Sequence, residues 1–325
     1  MKKILLSAAA ILLLFSCQNE ETDASGFETS TKVLRGCASQ DVLAEQLAAD
    51  PSLAIRMNQI EAFTQSKISS TNFKLVNGKI VIPVVVNVLY RTAAENISDA
   101  QIQSQIDVLN EDFTAANTDI NTVPAEFSGV TAGSAVNGID ITFQLVKTNR
   151  KATTKTSWGT RDAMKSTKKG GLDPTSPSTT LNLWVCTIGG GILGYAQFPG
   201  GSSATDGVVC DSKYFGVTPN SSAAYPYNLG RTATHEVGHW MNLRHIWGDA
   251  SCGNDQVSDT PVHKTSNFGV PVYPYASTCL PVHNEMTMNY MDYTDDRGMY
   301  MFTLGQKSRM SALFVSGGAR AGFGI

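Results

Sequence analysis

All five histidines of this 325-residue sequence fall between His235 and His283. Two of them stand in the run His235-Glu236-Val237-Gly238-His239. A helix turns about 100° per residue, so histidines four apart share a face and can share a metal ion, with the glutamate projecting beside them. Alone, such a run is short enough to arise by chance or as a salt-bridged surface patch. A third histidine, His245, follows six residues after His239. On an unbroken helix it would point away, so a shared metal requires the chain to turn back. Asn242 stands where that turn must occur, and asparagine, after glycine, most readily takes the left-handed conformation that ends helices. Three neutral imidazoles hold zinc with one position open for water, whose pKa falls toward ~7, and Glu236 is the base that takes its proton. His263 and His283 read as solvent-exposed or as supports behind the ligands.

Positioning that set takes a folded domain, and the composition allows one. Hydrophobic residues make up 42% of the chain and the net charge is -3, enough for one large core or two small ones and no basic footprint for nucleic acid. Lys2-Lys3 and the apolar run Ile4 to Phe15 read as an export signal. Leu14-Phe15-Ser16-Cys17 resembles a bacterial lipoprotein cleavage site, which would attach the chain to a membrane through an acylated Cys17; an ordinary cleaved signal is the alternative, and the protein is then secreted. No later segment is apolar for long enough to span a bilayer. Residues 1–17 are thus assigned to the signal, 18–78 to a polar pro-segment or tether, and 79–325 to the catalytic domain.

The pro-segment contains one helical pattern, Asp41 to Lys67. From Lys79 the β-branched run Ile80 to Tyr90 predicts a strand buried on both faces. Ser98-Asp99 caps a helix to about Asn117 with Ile102, Ile106, Leu109 and Phe113 on one face, and Ile139 to Val146 follows as a strand. Strand, helix, strand suggests a βαβ unit. The expected architecture is α/β (α+β): a twisted, mostly parallel sheet, a metal helix over about Asn228–Asn242, a loop-rich C-terminal half, and a closing helix over Gln306–Phe314.

Export permits disulfides. With Cys17 consumed by the signal, five cysteines remain. Pairing by proximity gives Cys186–Cys210, joining two strand-like runs, and Cys252–Cys279, closing a Gly- and Pro-rich loop, and leaves Cys37 unpaired.

His235-Glu236-Val237-Gly238-His239-Trp240, Asp259-Thr260-Pro261 and Asn289-Tyr290-Met291-Asp292-Tyr293 together resemble the pappalysin family of metzincin zinc metallopeptidases, in its small ulilysin-like form, over about residues 80–315. One departure is Asn242, where the family has glycine. The resemblance implies a five-stranded metzincin-like sheet and hydrolysis of protein or peptide substrates. His235, His239 and His245 would bind zinc, Glu236 would carry protons, Met291 would form a floor under the metal, and Tyr293 would stabilise the oxyanion. Substrate would lie extended against an edge strand at Gly194–Phe198. Asp255, Asp259 and Thr260 match positions that bind calcium in the family. Cys37, in Leu34-Arg35-Gly36-Cys37, resembles the pro-segment cysteine that occupies the open zinc position of a latent precursor. Two other readings stay open: a zinc-binding but inactive peptide-binding lipoprotein, and a zinc hydrolase whose third ligand is Glu285.

Overall fold

The computed structural model describes residues 34–69, 79–132, 140–218 and 224–323; the expected signal and Cys17 lie outside them. The first elements are α1 (Ser39–Ala49) and α2 (Ser52–Ile68). They replace the single helix expected over Asp41–Lys67. Pro51 has no N–H to continue the ladder and its ring crowds the preceding turn, while the Asp50 carboxylate accepts the Ser52 N–H at 3.1 Å and starts the next helix.

The sheet is assembled from β1 (Lys79–Tyr90), β2 (Asp140–Ala152), β3 (Leu181–Cys186), β4 (Gly194–Ala196) and β5 (Val208–Asp211). Between β1 and β2 run α3 (Asp99–Thr114) and the one-turn α4 (Ala125–Ser128). The Ser98 hydroxyl caps α3 by accepting the Gln101 N–H at 3.1 Å, and Ile102, Ile106, Leu109 and Phe113 join the main core. Strand order is β2-β1-β3-β5-β4. Every neighbouring pair is parallel except β4 against β5. This is the expected five-stranded, mostly parallel α/β sheet, with the short antiparallel strand at one edge.

Alternation along β3 divides the interior. Leu181, Leu183 and Val185 face the core that contains α3 and the metal helix, whereas Trp184 and Cys186 face a second cluster with Met164, Trp158 and Tyr195. The same alternation overturns the expected Cys186–Cys210 disulfide. Cys210 pairs in register with Val185, and Cys186 with Asp211. Neighbours in register share a face, so the two sulfurs lie on opposite faces of the sheet, and both cysteines are free and buried. Cys252 and Cys279 are bonded as expected, and they staple the loop-rich stretch that follows the metal helix.

That helix, α5, spans Arg231–Trp240, shorter at both ends than the expected 228–242, because Gly230 enters it at φ +82° and Asn242 leaves it at φ +68°. The closing helix α6 (Leu304–Ser311) begins two residues earlier than expected. Thr303 and Gln306 form a reciprocal capping box there. Residues 34–325 form one unit. Residues 34–69 are therefore packed on the domain that begins at Lys79, with α2 tied to α6 by a Glu61–Arg309 ion pair.

Peptide mapping without reductant is expected to recover Cys252–Cys279 as a linked pair. Cys186 and Cys210 should alkylate as free thiols only after unfolding; a Cys186–Cys210 peptide would contradict the strand register.

Candidate metal centre

Every residue of α5 is buried, so the metal helix runs through the core instead of across its surface. His235 and His239 lie one turn apart, their Nε2 atoms 3.1 Å from each other, and His245 Nε2 is 3.1 Å from that of His239. Each Nδ1 faces away from this point. That of His235 donates to Tyr290 O at 2.7 Å, that of His239 to Leu243 O at 2.8 Å, and that of His245 to the Asp249 carboxylate. A carbonyl can only accept, so the proton sits on Nδ1 and the Nε2 lone pairs converge. Burial first, and then the neighbouring imidazoles, hold His235 and His239 well below the ordinary histidine range. They are neutral, as metal ligands must be.

The donor set fits zinc. Tetrahedral ligands about 2.0–2.1 Å from the ion are separated by roughly 3.3 Å, close to the spacing seen here. Cys37 Sγ completes a group of four ligand atoms within 4.8 Å of one another. Among the described residues no other such group of three or more occurs. Glu285, the alternative third ligand, instead accepts from Lys264 N at 2.7 Å and Asn267 Nδ2 at 2.8 Å.

Local geometry explains how His245 returns. The Asn242 N–H donates to His239 O at 2.9 Å and the Leu243 N–H to Gly238 O at 3.0 Å, a Schellman closure around the left-handed Asn242. Met291 is buried beneath the helix, and a Cβ on Gly238 would stand 2.5 Å from its Sδ. Glycine is therefore what lets the methionine turn approach. Gly194 serves the other side, since a Cβ there would meet Glu236 Cγ and Val209 O at 2.9 Å.

Glu236 lies between the metal group and β4. Burial pushes its carboxyl up to about 7, against the pull of hydrogen bonds from Ser39 and Cys37 and the charge of Arg35. Its Oε2 accepts from the Ser39 hydroxyl at 2.8 Å and from the Cys37 thiol at 3.4 Å.

Comparison with known proteins assigns the family. A family model described as pregnancy-associated plasma protein-A matches residues 186–315. An extracellular metalloprotease of Pyricularia oryzae is 30% identical over 97% of this chain and 96% of its own; extracellular metalloprotease 1 of Coccidioides posadasii is 37% identical over 67% and 70%. The chain belongs to the pappalysin family of zinc metallopeptidases. Among solved structures, mature mirolysin of Tannerella forsythia with a cleaved peptide is 42% identical, covers 76% of this chain and 96% of its own, and has a TM-score of 0.71. A promirolysin mutant is 39% identical, covers 90% and 97%, and has a TM-score of 0.79.

In this pappalysin the Tyr293 hydroxyl points at the backbone oxygen of Cys37, 3.4 Å away. Burial pushes its phenol well above the usual range, so it is a donor. Of the oxygen-bearing trio, Asp255 and Thr260 meet at 2.9 Å. Asp259 is set apart at the start of α6, accepting from Thr303 Oγ1 and Gly305 N, both at 2.7 Å.

Several residues of the site escaped sequence reasoning. Asp249 orients His245, and Trp247 stacks on the same ring at 4.3 Å and 5°; an acid four residues beyond a ligand histidine was the available signal. His263, read as exposed or supporting, is fully buried, accepting the Met286 N–H at 2.8 Å. Arg35 is also buried. It reaches Asp296 Oδ1 at 2.5 Å, Thr294 O at 3.1 Å and Thr232 Oγ1 at 3.4 Å, with its guanidinium 4.8 Å above the Tyr227 ring.

Gly238→Ala is expected to destabilise the fold by about 1–3 kcal/mol through the clash with Met291. Thermal denaturation together with zinc content checks it: unchanged values for both would refute the close-approach argument.

Proposed function

We propose that this chain is an exported zinc endopeptidase precursor, kept latent by the pro-segment, residues 18–78, and cutting beside a basic residue of its substrate. The observation that carries the reading is the convergence of Cys37 Sγ with three histidine nitrogens, next to Glu236. Zinc bound there supplies a Lewis acid for the peptide carbonyl and for water. Glu236 accepts the proton of the attacking water and passes it to the leaving amine, a task open to it because its carboxylate stands beside the ligand group. Tyr293 donates to the carbonyl oxygen as charge builds on it; Cys37 O occupies that oxygen's place.

The pro-segment is bound as a substrate would be. The Leu193 N–H donates to Gly36 O at 2.8 Å and the Ala38 N–H to Gly194 O at 3.1 Å. Ala196 N–H donates to Ser39 Oγ at 2.8 Å. This is strand addition to the β4 edge. Arg35 then fills the pocket that a substrate side chain takes on maturation, and a carboxylate, a carbonyl and an aromatic face select arginine or lysine there. Burial, and then the charge of Glu236, push the Cys37 thiol up, so without an ion it stays protonated; a zinc ligand would be the thiolate. Mature mirolysin covers 76% of this chain and its precursor 90%, which supports a removable segment ahead of Lys79.

The relatives' description as extracellular supports export through residues 1–17; membrane attachment at an acylated Cys17 rests on the run Leu14-Phe15-Ser16-Cys17 alone. Calcium at Asp255, Asp259 and Thr260 is part of the same proposal and is carried by the family resemblance alone, Asp259 being already bonded to Thr303 and Gly305.

Before any processing, the full chain carrying Cys37→Ser is expected to cleave a basic peptide that the wild-type precursor leaves intact. Adding Glu236→Ala should abolish cleavage at equal zinc content; cleavage persisting in the double variant would remove Glu236 from the mechanism. In the matured enzyme, Asp296→Asn should lower kcat/KM for arginine-containing peptides by about 30-fold or more, the cost of unpairing a buried charge. An unchanged ratio of arginine to leucine peptides would dismiss the pocket.

A further inference from the structure

Arg35 and Glu61 lie on opposite sides of Cys37 along the chain, and each is bound at its own place on the domain. Arg35 enters the Asp296 pocket on one side of Cys37. On the other side, α1 and α2 lie over a strip made by Phe198, Asn242 and Arg244. Phe198 begins that strip beside the metal, its ring 5.3 Å from His239. At its far end stands Arg309, only 1% exposed. Its Nε donates to Asn242 O at 2.9 Å, which holds the guanidinium plane against the end of the metal helix. The outer fork is given to Glu61: Nη1 donates to Oε1 at 2.8 Å and Nη2 to Oε2, while Nη2 also reaches Gln256 Oε1 at 3.1 Å. Burial pushes the Glu61 carboxyl up, but hydrogen bonds and charge from Arg309 hold it below its ordinary value. A cavity of about 640 Å³ between Glu61 and the loop around Asp255 and Gln256 opens beside the pair.

We propose that maturation uncovers a carboxylate-binding subsite on Arg309, which holds an acidic side chain of the substrate on the far side of the cut bond from the basic residue. The inference rests on the reading that the pro-segment, residues 18–78, is removed. Once they leave, the guanidinium keeps its anchor to Asn242 O and loses both oxygens of its partner. The neighbouring carboxylate does not replace them, because Asp255 is engaged by Thr260 Oγ1 and the Val257 N–H. A planar fork left in a recess with only the neutral Gln256 Oε1 on Nη2 favours a bidentate carboxylate over any neutral group. The strip from Phe198 to Arg309 leads there from the metal, so a bound substrate follows the course the pro-segment has vacated.

The test uses enzyme matured from the full-length chain, its mass recorded. Peptide pairs share one arginine beside the cut and differ by Glu or Gln at successive positions on the opposite side. The Glu peptide should be cut about tenfold better in kcat/KM at one position, through KM, as expected for a hydrogen-bonded charge pair. The preference should shrink with salt, vanish in Arg309→Gln and survive in part in Arg309→Lys. Equal cleavage of Glu and Gln peptides at every position by the wild-type enzyme overturns the subsite, whether or not the variants fold. An active species whose mass still includes Glu61 overturns the removal of the pro-segment, an outcome separate from the peptide comparison.

Discussion

One turn of backbone holds the metal site together. Two ligands come from α5, and the third has to be brought back after the helix has ended; the left-handed Asn242 does this by closing α5 on Gly238 O and His239 O. The consequences extend outward from there. Leu243 O, delivered by the same turn, fixes the ring of His239. Ile246 N–H donates to Met291 O at 3.1 Å, so the returning chain is bonded to the methionine turn that passes under Gly238. Arg309 then braces the turn from α6 through Asn242 O. Asparagine suits this position because left-handed backbone costs it less than most residues, though more than glycine. The surrounding hydrogen bonds offset that cost.

Support below the helix is equally specific. Tyr290 gives its backbone oxygen to His235 and its hydroxyl to Asp112 at 2.6 Å. Asp112 also accepts from Thr234 Oγ1 at 2.7 Å. Burial pushes that carboxyl up to about 6 although Arg231 and both hydroxyls pull it down. The buried charge is thus spread over a network in which each donor belongs to α5 or the methionine turn. Such a network sets the distance between the two elements more firmly than apolar packing would.

Legibility in the sequence followed the range of the interactions. The spacing of His235 and His239, the Ser98 cap and the buried run of β1 are local facts, readable from helical and strand periods. The expected Cys186–Cys210 bond ignored a parity: sulfurs on neighbouring strands need the same face, and register cannot be read before pairing is known. The helix break at Pro51 is readable from the residue itself, although the apolar spacing runs on across it. The Arg35–Asp296 pair was hidden for another reason. Its members are 261 residues apart, and a lone arginine near a cysteine carries no sign of the aspartate that will bury it. Asp249 lay closer, four residues beyond His245, yet only the returned loop shows that its carboxylate meets Nδ1.

The proposed latency would follow from how these contacts are connected. The pro-segment is held by Cys37 at the metal group, Arg35 in its pocket, strand pairing on β4 and Glu61 on α6. While it is covalently joined to the domain, each contact that opens recloses at the high effective concentration of a tethered ligand. A contact that opens for a moment is restored by the others, so thermal opening of single contacts does not release the site, whereas permanent loss of the Cys37 thiol shifts the whole set toward the open state. A cut in the chain between α2 and β1 changes that arithmetic without touching a contact. It turns rebinding into a bimolecular event and makes every link depend on dilution. A segment secure while attached and dispensable once cut needs this combination: several modest, mutually dependent contacts instead of one very strong one.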